Sequence, residues 1–99
     1  MKLHPEVQEL SDAMHELEAF LRDHDAAFWA DHVQRCVAPV DRSDAYGVGR
    51  FLSLFGGMGS LNDLVLHRNG VMLTTENDQF QALKNRAYEL ANRLKGEVR

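Results

Sequence analysis

The first quarter of the chain alternates apolar and polar positions with the period of an α-helix. Apolar side chains recur at three- and four-residue steps, with His24 in the one missing place, at Leu3, Val7, Leu10, Met14, Leu17, Leu21 and Phe28. Such spacing, close to a heptad repeat, is typical of a helix with one buried face. Pro5 suits a first helical turn, where its missing N–H is not needed. The pattern therefore predicts a helix over residues 5–23, followed by a break in which Asp25 caps the next helix.

Two further helices are predicted between residues 25 and 55. The second carries Phe28, Trp29, Val33, Cys36 and Val37, and Pro39 should end it, because the residue before a proline avoids the helical region. Ser43 or Asp44 can cap a third helix that runs to about Phe55. Gly47 and Gly49 weaken that helix by up to about 1 kcal/mol each, which indicates close packing against a neighbouring helix.

A glycine-rich segment, L-F-G-G-M-G-S-L-N-D-L, occupies residues 54–64. Large apolar residues flank the glycines, so the segment is predicted to be a packed turn and not a linker. A phosphate-binding loop is disfavoured because no lysine follows and no clear strand precedes. The residues predicted to build the turn are Gly56, Gly57 and Gly59, with Asn62 and Asp63 bracing it through backbone hydrogen bonds. The alternative is that Asn62 and Asp63 contact a ligand or partner.

The last third contains a second turn signal and a closing helix. Asn69-Gly70 between apolar runs is typical of a β-hairpin, although a short helix followed by a loop also fits residues 61–74. Thr75 with Asp78 resembles a helix start, and Gly96 should close that helix. The chain as a whole is predicted to be one domain over residues 1–99. We expect a mainly α, compact bundle of about four helices with a glycine-rich turn and a short hairpin.

Charge is distributed unevenly along the chain. Residues 1–46 carry ten acids and four bases, a net charge of −6, and residues 47–99 carry five acids and seven bases, a net charge of +2, which together give −4. A net negative charge argues against nonspecific binding of nucleic acid. The acidic half fits either a solvated helix face or a surface for a basic partner.

Localisation and chemistry are constrained mainly by what the residue patterns lack. A single cysteine, no signal-peptide pattern and no run of about 20 apolar residues favour a cytoplasmic protein without a membrane segment. His32 and Cys36 fall short of the four ligands of a structural zinc site. The metalloprotease pattern that begins at His15-Glu16 fails at Ala19. We therefore expect no catalytic, metal or cofactor site.

The glycine-rich segment, followed by the helical pattern from Asn77 to Leu90, resembles a small, largely uncharacterised bacterial family that carries an F-G-G-M-G-S-[L/F]-N-D-L motif. The resemblance covers residues 51–94. Small acidic helical proteins of this kind resemble immunity proteins, which neutralise toxins of interbacterial competition. The resemblance implies a cognate toxin as partner.

From the charge pattern we expect that toxin to present a basic cleft. The candidate partner-binding residues are Glu9, Glu16, Asp23, Asp25, Trp29 and Asp31. Two alternatives stay open. One is a homodimer or larger oligomer that assembles through the apolar stripe of residues 3–28, and the other is a small metal protein or enzyme built around His32 and Cys36.

Overall fold

A computed structural model describes residues 4–42, 45–55, 60–61 and 64–97 of the chain. Four helices and one hairpin follow in the order α1 (Pro5–Asp23), α2 (Ala27–Asp41), α3 (Ala45–Ser53), β1 (His67–Arg68), β2 (Val71–Met72) and α4 (Thr74–Glu97). Each helix packs against the next along the chain, and α4 returns to pack against α1. The predicted mainly α bundle with a short hairpin is therefore confirmed.

Helix α1 has the predicted bounds and buries the predicted face. Leu10, Met14, Leu17 and Leu21 are fully buried, between α2 and α4. Burial of a leucine or methionine side chain contributes about 1.5–3 kcal/mol, so this stripe supplies a large part of the core. Because these four side chains are already buried within one chain, they do not form an exposed surface for oligomerisation.

The turn between α1 and α2 differs from its prediction. Asp25 has a φ of 61°, and the N–H groups of His24 and Ala26 both donate to the carbonyl of Leu21, at 3.2 and 2.8 Å. The bond from Ala26 and the left-handed residue before it are those of a Schellman motif, which ends a helix. Asp25 therefore terminates α1 and does not cap α2, whose flanking residue Ala26 makes no side-chain cap.

The prediction that Pro39 ends α2 is wrong, because the helix continues to Asp41. The proline lies in the last turn of the helix, so only two residues follow it before the helix ends. The N–H of Arg42 donates to the Pro39 carbonyl at 3.0 Å and completes the helix end. The predicted caps of the next helix, Ser43 and Asp44, lie outside the described residues.

Helix α3 ends at Ser53, two residues before the predicted end, and its two glycines differ in environment. A Cβ atom on Gly47 would lie 2.8 Å from the Cys36 carbonyl oxygen, 2.8 Å from the Pro39 Cβ and 2.9 Å from the Val40 nitrogen. The predicted close packing is thus confirmed at Gly47. It is wrong at Gly49, where a Cβ would meet nothing within 4 Å.

The hairpin settles the choice that the sequence leaves open for the later part of residues 61–74. Asn69 and Gly70 have φ values of 54° and 79°, as a two-residue type I′ turn requires, and His67 pairs with Met72. The Asn77 side chain accepts from the Leu66 N–H at 2.8 Å and donates to the Leu66 and Leu73 carbonyls at 3.1 and 2.8 Å. Asn77 thereby joins the base of the hairpin to α4.

Two predictions for the ends of α4 are wrong. The helix begins at Thr74, so Thr75 lies inside its first turn and is not the cap. It continues through Gly96 to Glu97. Gly96 lies one residue from the helix end, where a glycine only weakens a helix and does not by itself break it.

Most of the predicted glycine-rich turn lies outside the described residues. All five residues predicted to build or brace it are among those not described: Gly56, Gly57, Gly59, Asn62 and Asp63. Its described neighbours are buried: Ser60 is 8% exposed and Leu61 is fully buried. The Leu61 N–H donates to the Leu54 carbonyl at 2.8 Å. The residues on either side of this segment are therefore hydrogen-bonded to each other, and Leu61 belongs to the core.

Candidate interaction surface

Three of the predicted partner-binding acids form one stripe on α1. Glu9, Glu16 and Asp23 are all exposed and are seven residues apart. At about 100° per residue they stay within roughly 40° of one another around the helix axis and extend over about 21 Å. We call these three residues the acidic stripe.

The position of the acidic stripe on α1 follows from the contacts on either side of it. Ser11, His15 and Arg22 contact α2, and Phe20 stacks on Phe80 of α4. The stripe lies about 120° around the axis from the flank that contacts α2. It therefore faces outward on the α4 side of α1, and its last member, Asp23, adjoins the turn into α2.

Three rings cluster where α2 begins, and we call Phe28, Trp29 and His32 the aromatic corner. Phe28 makes T-shaped ring contacts with Trp29 and with His32, and the distances between ring centroids are 5.3 and 4.5 Å. Trp29 and His32 are 5.6 Å apart. Phe28 is 66% exposed, whereas Trp29 and His32 are half-buried. One aromatic side chain thus projects into solvent from two that are held by the fold.

The sequence predicted that one of Phe28 and Trp29 faces the core and the other is exposed, and this is confirmed. Trp29, the one included among the partner-binding residues, packs against the core, so Phe28 is the more accessible ring. The phase of α2 contains this information. Its buried positions Ala30, Val33 and Val37 recur at three and four residues, and residue 28 is out of phase with them.

The remaining predicted acids flank the aromatic corner. Asp25 is exposed in the turn, and Asp31 lies one helical turn beyond Phe28. The Arg22 guanidinium donates to Glu18 and to Asp31, each at 3.2 Å. The hydrogen bond to Glu18, and secondly that to Asp31, raises the pKa of Arg22. This exposed network joins α1 to α2 and places a bound guanidinium beside the corner.

A second polar contact joins α1 to the other end of α2. The Ser11 hydroxyl donates to Asp41 Oδ1 at 2.5 Å, and Oδ2 of the same carboxylate lies 3.3 Å from His15 Nε2. A negative charge at a helix C-terminus is unfavourable, so these two partners stabilise Asp41 where it is. In a catalytic triad the histidine lies between serine and aspartate. Here the aspartate lies between them, so the arrangement is not that of a catalytic triad.

Cys36 is buried, which agrees with its interpretation as a small core residue. Its thiol donates to the His32 carbonyl at 3.3 Å. Burial raises the pKa of the thiol, against a smaller opposing effect from the Arg50 charge. A thiol with a raised pKa is a poor nucleophile and a poor metal ligand. Within the described part of the chain, no group of three or more His, Cys, Asp or Glu side chains is arranged to hold a metal ion.

Two structural features were not anticipated from the sequence. Lys84 is buried, only 3% exposed, and its Nζ lies 4.8 Å from the centroid of the Phe80 ring. The Phe80 ring stacks on Phe20, which in turn stacks on His24. The hairpin also exposes Val71 and Met72. Residue 84 lies in phase with the buried face of α4, four residues after Phe80 and three before Ala87, but its burial was not expected because a lysine is normally solvated.

The comparisons with known proteins gave a match to one protein family. A sequence profile described as "Domain of unknown function (DUF6966)" matches residues 22–74, more than half of the 99 residues. The match contains the aromatic corner and the glycine-rich segment, and it shares residues 51–74 with the resemblance at residues 51–94, which stays a prediction.

No curated protein and no solved structure gives a significant match. No helix in the described ranges is long and apolar enough to cross a membrane. On the extent of the profile match, the chain belongs to the family of the domain of unknown function DUF6966.

Proposed function

We propose that this chain is a non-enzymatic protein-binding domain that neutralises a cognate bacterial toxin by covering its active-site cleft. The exposed Phe28 ring, at the end of an acidic helix, is the observation that carries the proposal. Protein interfaces draw most of their binding energy from a few aromatic or arginine anchors, each surrounded by polar residues that exclude water. Phe28 has such a setting, because its ring contacts Trp29 and His32, and the exposed acids Asp25 and Asp31 lie on either side of it along the chain.

The acidic stripe has a separate role in this proposal. Its three carboxylates are exposed, so they gain little from contacts within the chain and remain able to attract a basic surface. Complementary charge of this kind mainly speeds association, whereas buried anchors mainly slow dissociation. A partner that touches both the stripe and Phe28 must cover the C-terminal end of α1.

The division of roles gives the experiment its design. The tagged chain is co-expressed with the toxin encoded by the adjacent gene, and cell survival, co-purification and binding kinetics are measured. Replacing the three acids of the stripe by lysine should reduce the association rate about tenfold or more and weaken its salt dependence. Phe28→Ala should instead raise the dissociation rate.

Glu89→Lys provides a matched control for the single change Glu16→Lys in the stripe, because both exchange one exposed acid for a lysine, and Glu89 lies on α4, in the half of the chain with net positive charge. It should leave both rates nearly unchanged. If the unaltered chain neither binds the toxin nor protects cells that produce it, the proposed function is wrong. Equal effects of Glu89→Lys and of Glu16→Lys would show that only total charge matters and not this surface.

A further inference from the structure

The aromatic corner presents one exposed ring beside two half-buried ones. The plane of the Phe28 ring lies at 85° to that of Trp29 and at 71° to that of His32. Phe28 is 66% exposed, so much of its surface remains accessible beside these two neighbours. An aromatic face attracts cations through its quadrupole.

The net charge of the segment that contains the aromatic corner is negative, which also favours a cationic ligand. Residues 18–35 contain four acids and two bases, a net charge of −2. The negative end of α1 and the positive end of α2 meet at this turn and largely offset each other, so the side chains decide the local field. Asp31 is 54% exposed, although one of its oxygens already accepts from Arg22.

Arg22 shows which cation the carboxylates at this position accommodate. Its guanidinium contacts Glu18 and Asp31 at the same distance, 3.2 Å, from one nitrogen. A guanidinium is planar, can stack on an aromatic ring while its edge donates hydrogen bonds, and is less strongly hydrated than an ammonium.

We propose that the aromatic corner is the subsite for an arginine side chain of the partner protein, with the guanidinium stacked on Phe28 and donating to Asp31. The identity of the partner rests on the proposed function, but the subsite itself does not. Binding by the corner is a property of the free chain and is measured without the toxin.

The test uses Trp29, which is the single tryptophan of the chain and belongs to the corner. N-acetyl-arginine amide is titrated into the protein at constant ionic strength while tryptophan fluorescence is recorded. N-acetyl-citrulline amide, the uncharged isostere, is titrated in parallel. We expect a saturable change with the arginine probe and binding at least about threefold weaker with citrulline.

Three variants separate the contributions. Phe28→Leu keeps an apolar side chain but removes the ring, and should weaken arginine binding about 2–5-fold. Asp31→Asn should weaken it similarly. Tyr46→Leu is the control, and it should leave arginine binding unchanged. It removes an exposed ring of α3 that lies next to Gly47, and Gly47 packs against the far end of α2. Circular dichroism confirms that each variant is folded.

Two results would overturn the subsite: equal binding of arginine and citrulline, or unchanged arginine binding by Phe28→Leu. Failure here is distinguishable from failure of the proposed function. A chain that captures the toxin but ignores the arginine probe keeps its function and loses this subsite. A chain that binds the arginine probe through Phe28 but does not capture the toxin keeps the subsite and loses the function.

Discussion

Replacing Gly47 by alanine should destabilise the protein, whereas the same change at Gly49 should stabilise it. Both glycines lie inside α3, two residues apart, and alanine favours a helix by up to about 1 kcal/mol over glycine at either position. Only Gly47 faces another helix at close range. An added Cβ there would lie under 3.0 Å from three atoms, two of them backbone atoms of α2 that cannot rotate away.

The magnitude follows from comparing the two variants. Overpacking a well-packed site costs about 1–3 kcal/mol, and the gain in helix propensity is common to both changes. The difference in the free energy of unfolding between Gly49→Ala and Gly47→Ala should therefore be about 1–3 kcal/mol. For a domain of this size that difference corresponds to roughly 4–24 °C in Tm.

Urea denaturation followed by circular dichroism at 222 nm measures both free energies. The m-values should agree, since neither change alters the surface exposed on unfolding. If Gly47→Ala proves as stable as Gly49→Ala, then α3 does not pack against α2 as described. If Gly49→Ala also destabilises, the propensity part of the reasoning is wrong.

Three further changes test other parts of the fold. Asp25→Gly should stabilise the protein by about 0.5–1 kcal/mol in urea denaturation, because Asp25 holds a left-handed φ of 61° that glycine adopts freely, whereas Asp25→Asn should change stability little. Asn77→Ala should cost about 1–3 kcal/mol, since it leaves the Leu66 amide without its side-chain acceptor, and hydrogen exchange should show that the Leu66 N–H loses protection. Burial raises the pKa of Cys36, so above about pH 8.5 the unfolded chain loses the thiol proton while the folded chain keeps it. Stability should then fall by up to about 1.4 kcal/mol per pH unit until the folded pKa is reached, and a Cys36→Ala variant whose stability falls as steeply would refute this.

Local patterns predicted most of the secondary structure because they act over a few residues. The period of the apolar stripe located α1 at its observed bounds, since residues at three- and four-residue steps share one helix face. Asn69-Gly70 indicated the hairpin, because both residues tolerate the positive φ of a type I′ turn. These outcomes needed no knowledge of what packs against each element.

The errors occurred where packing decided the result. Asp25 has the side chain of an N-cap, but the geometry of the α1–α2 corner placed it in the left-handed position that ends α1. Pro39 would stop an isolated helix, yet α2 continues for two more residues, in the region where Gly47 of α3 packs against it. Local helix preferences, about 1 kcal/mol for glycine and about 3 kcal/mol for proline, can be overridden by tertiary contacts.

For the candidate surface, the amino-acid sequence alone determined that the first half is acidic and that two aromatic residues lie together within it. Charge and residue order are properties of the chain, and folding does not change them. Only the tertiary structure decided how far Trp29 is buried and Phe28 exposed, and that Asp31 lies against the Arg22 flank of α1, away from Glu9. The reason is that a helix has many possible orientations around its own axis, and contacts with its neighbours select one of them.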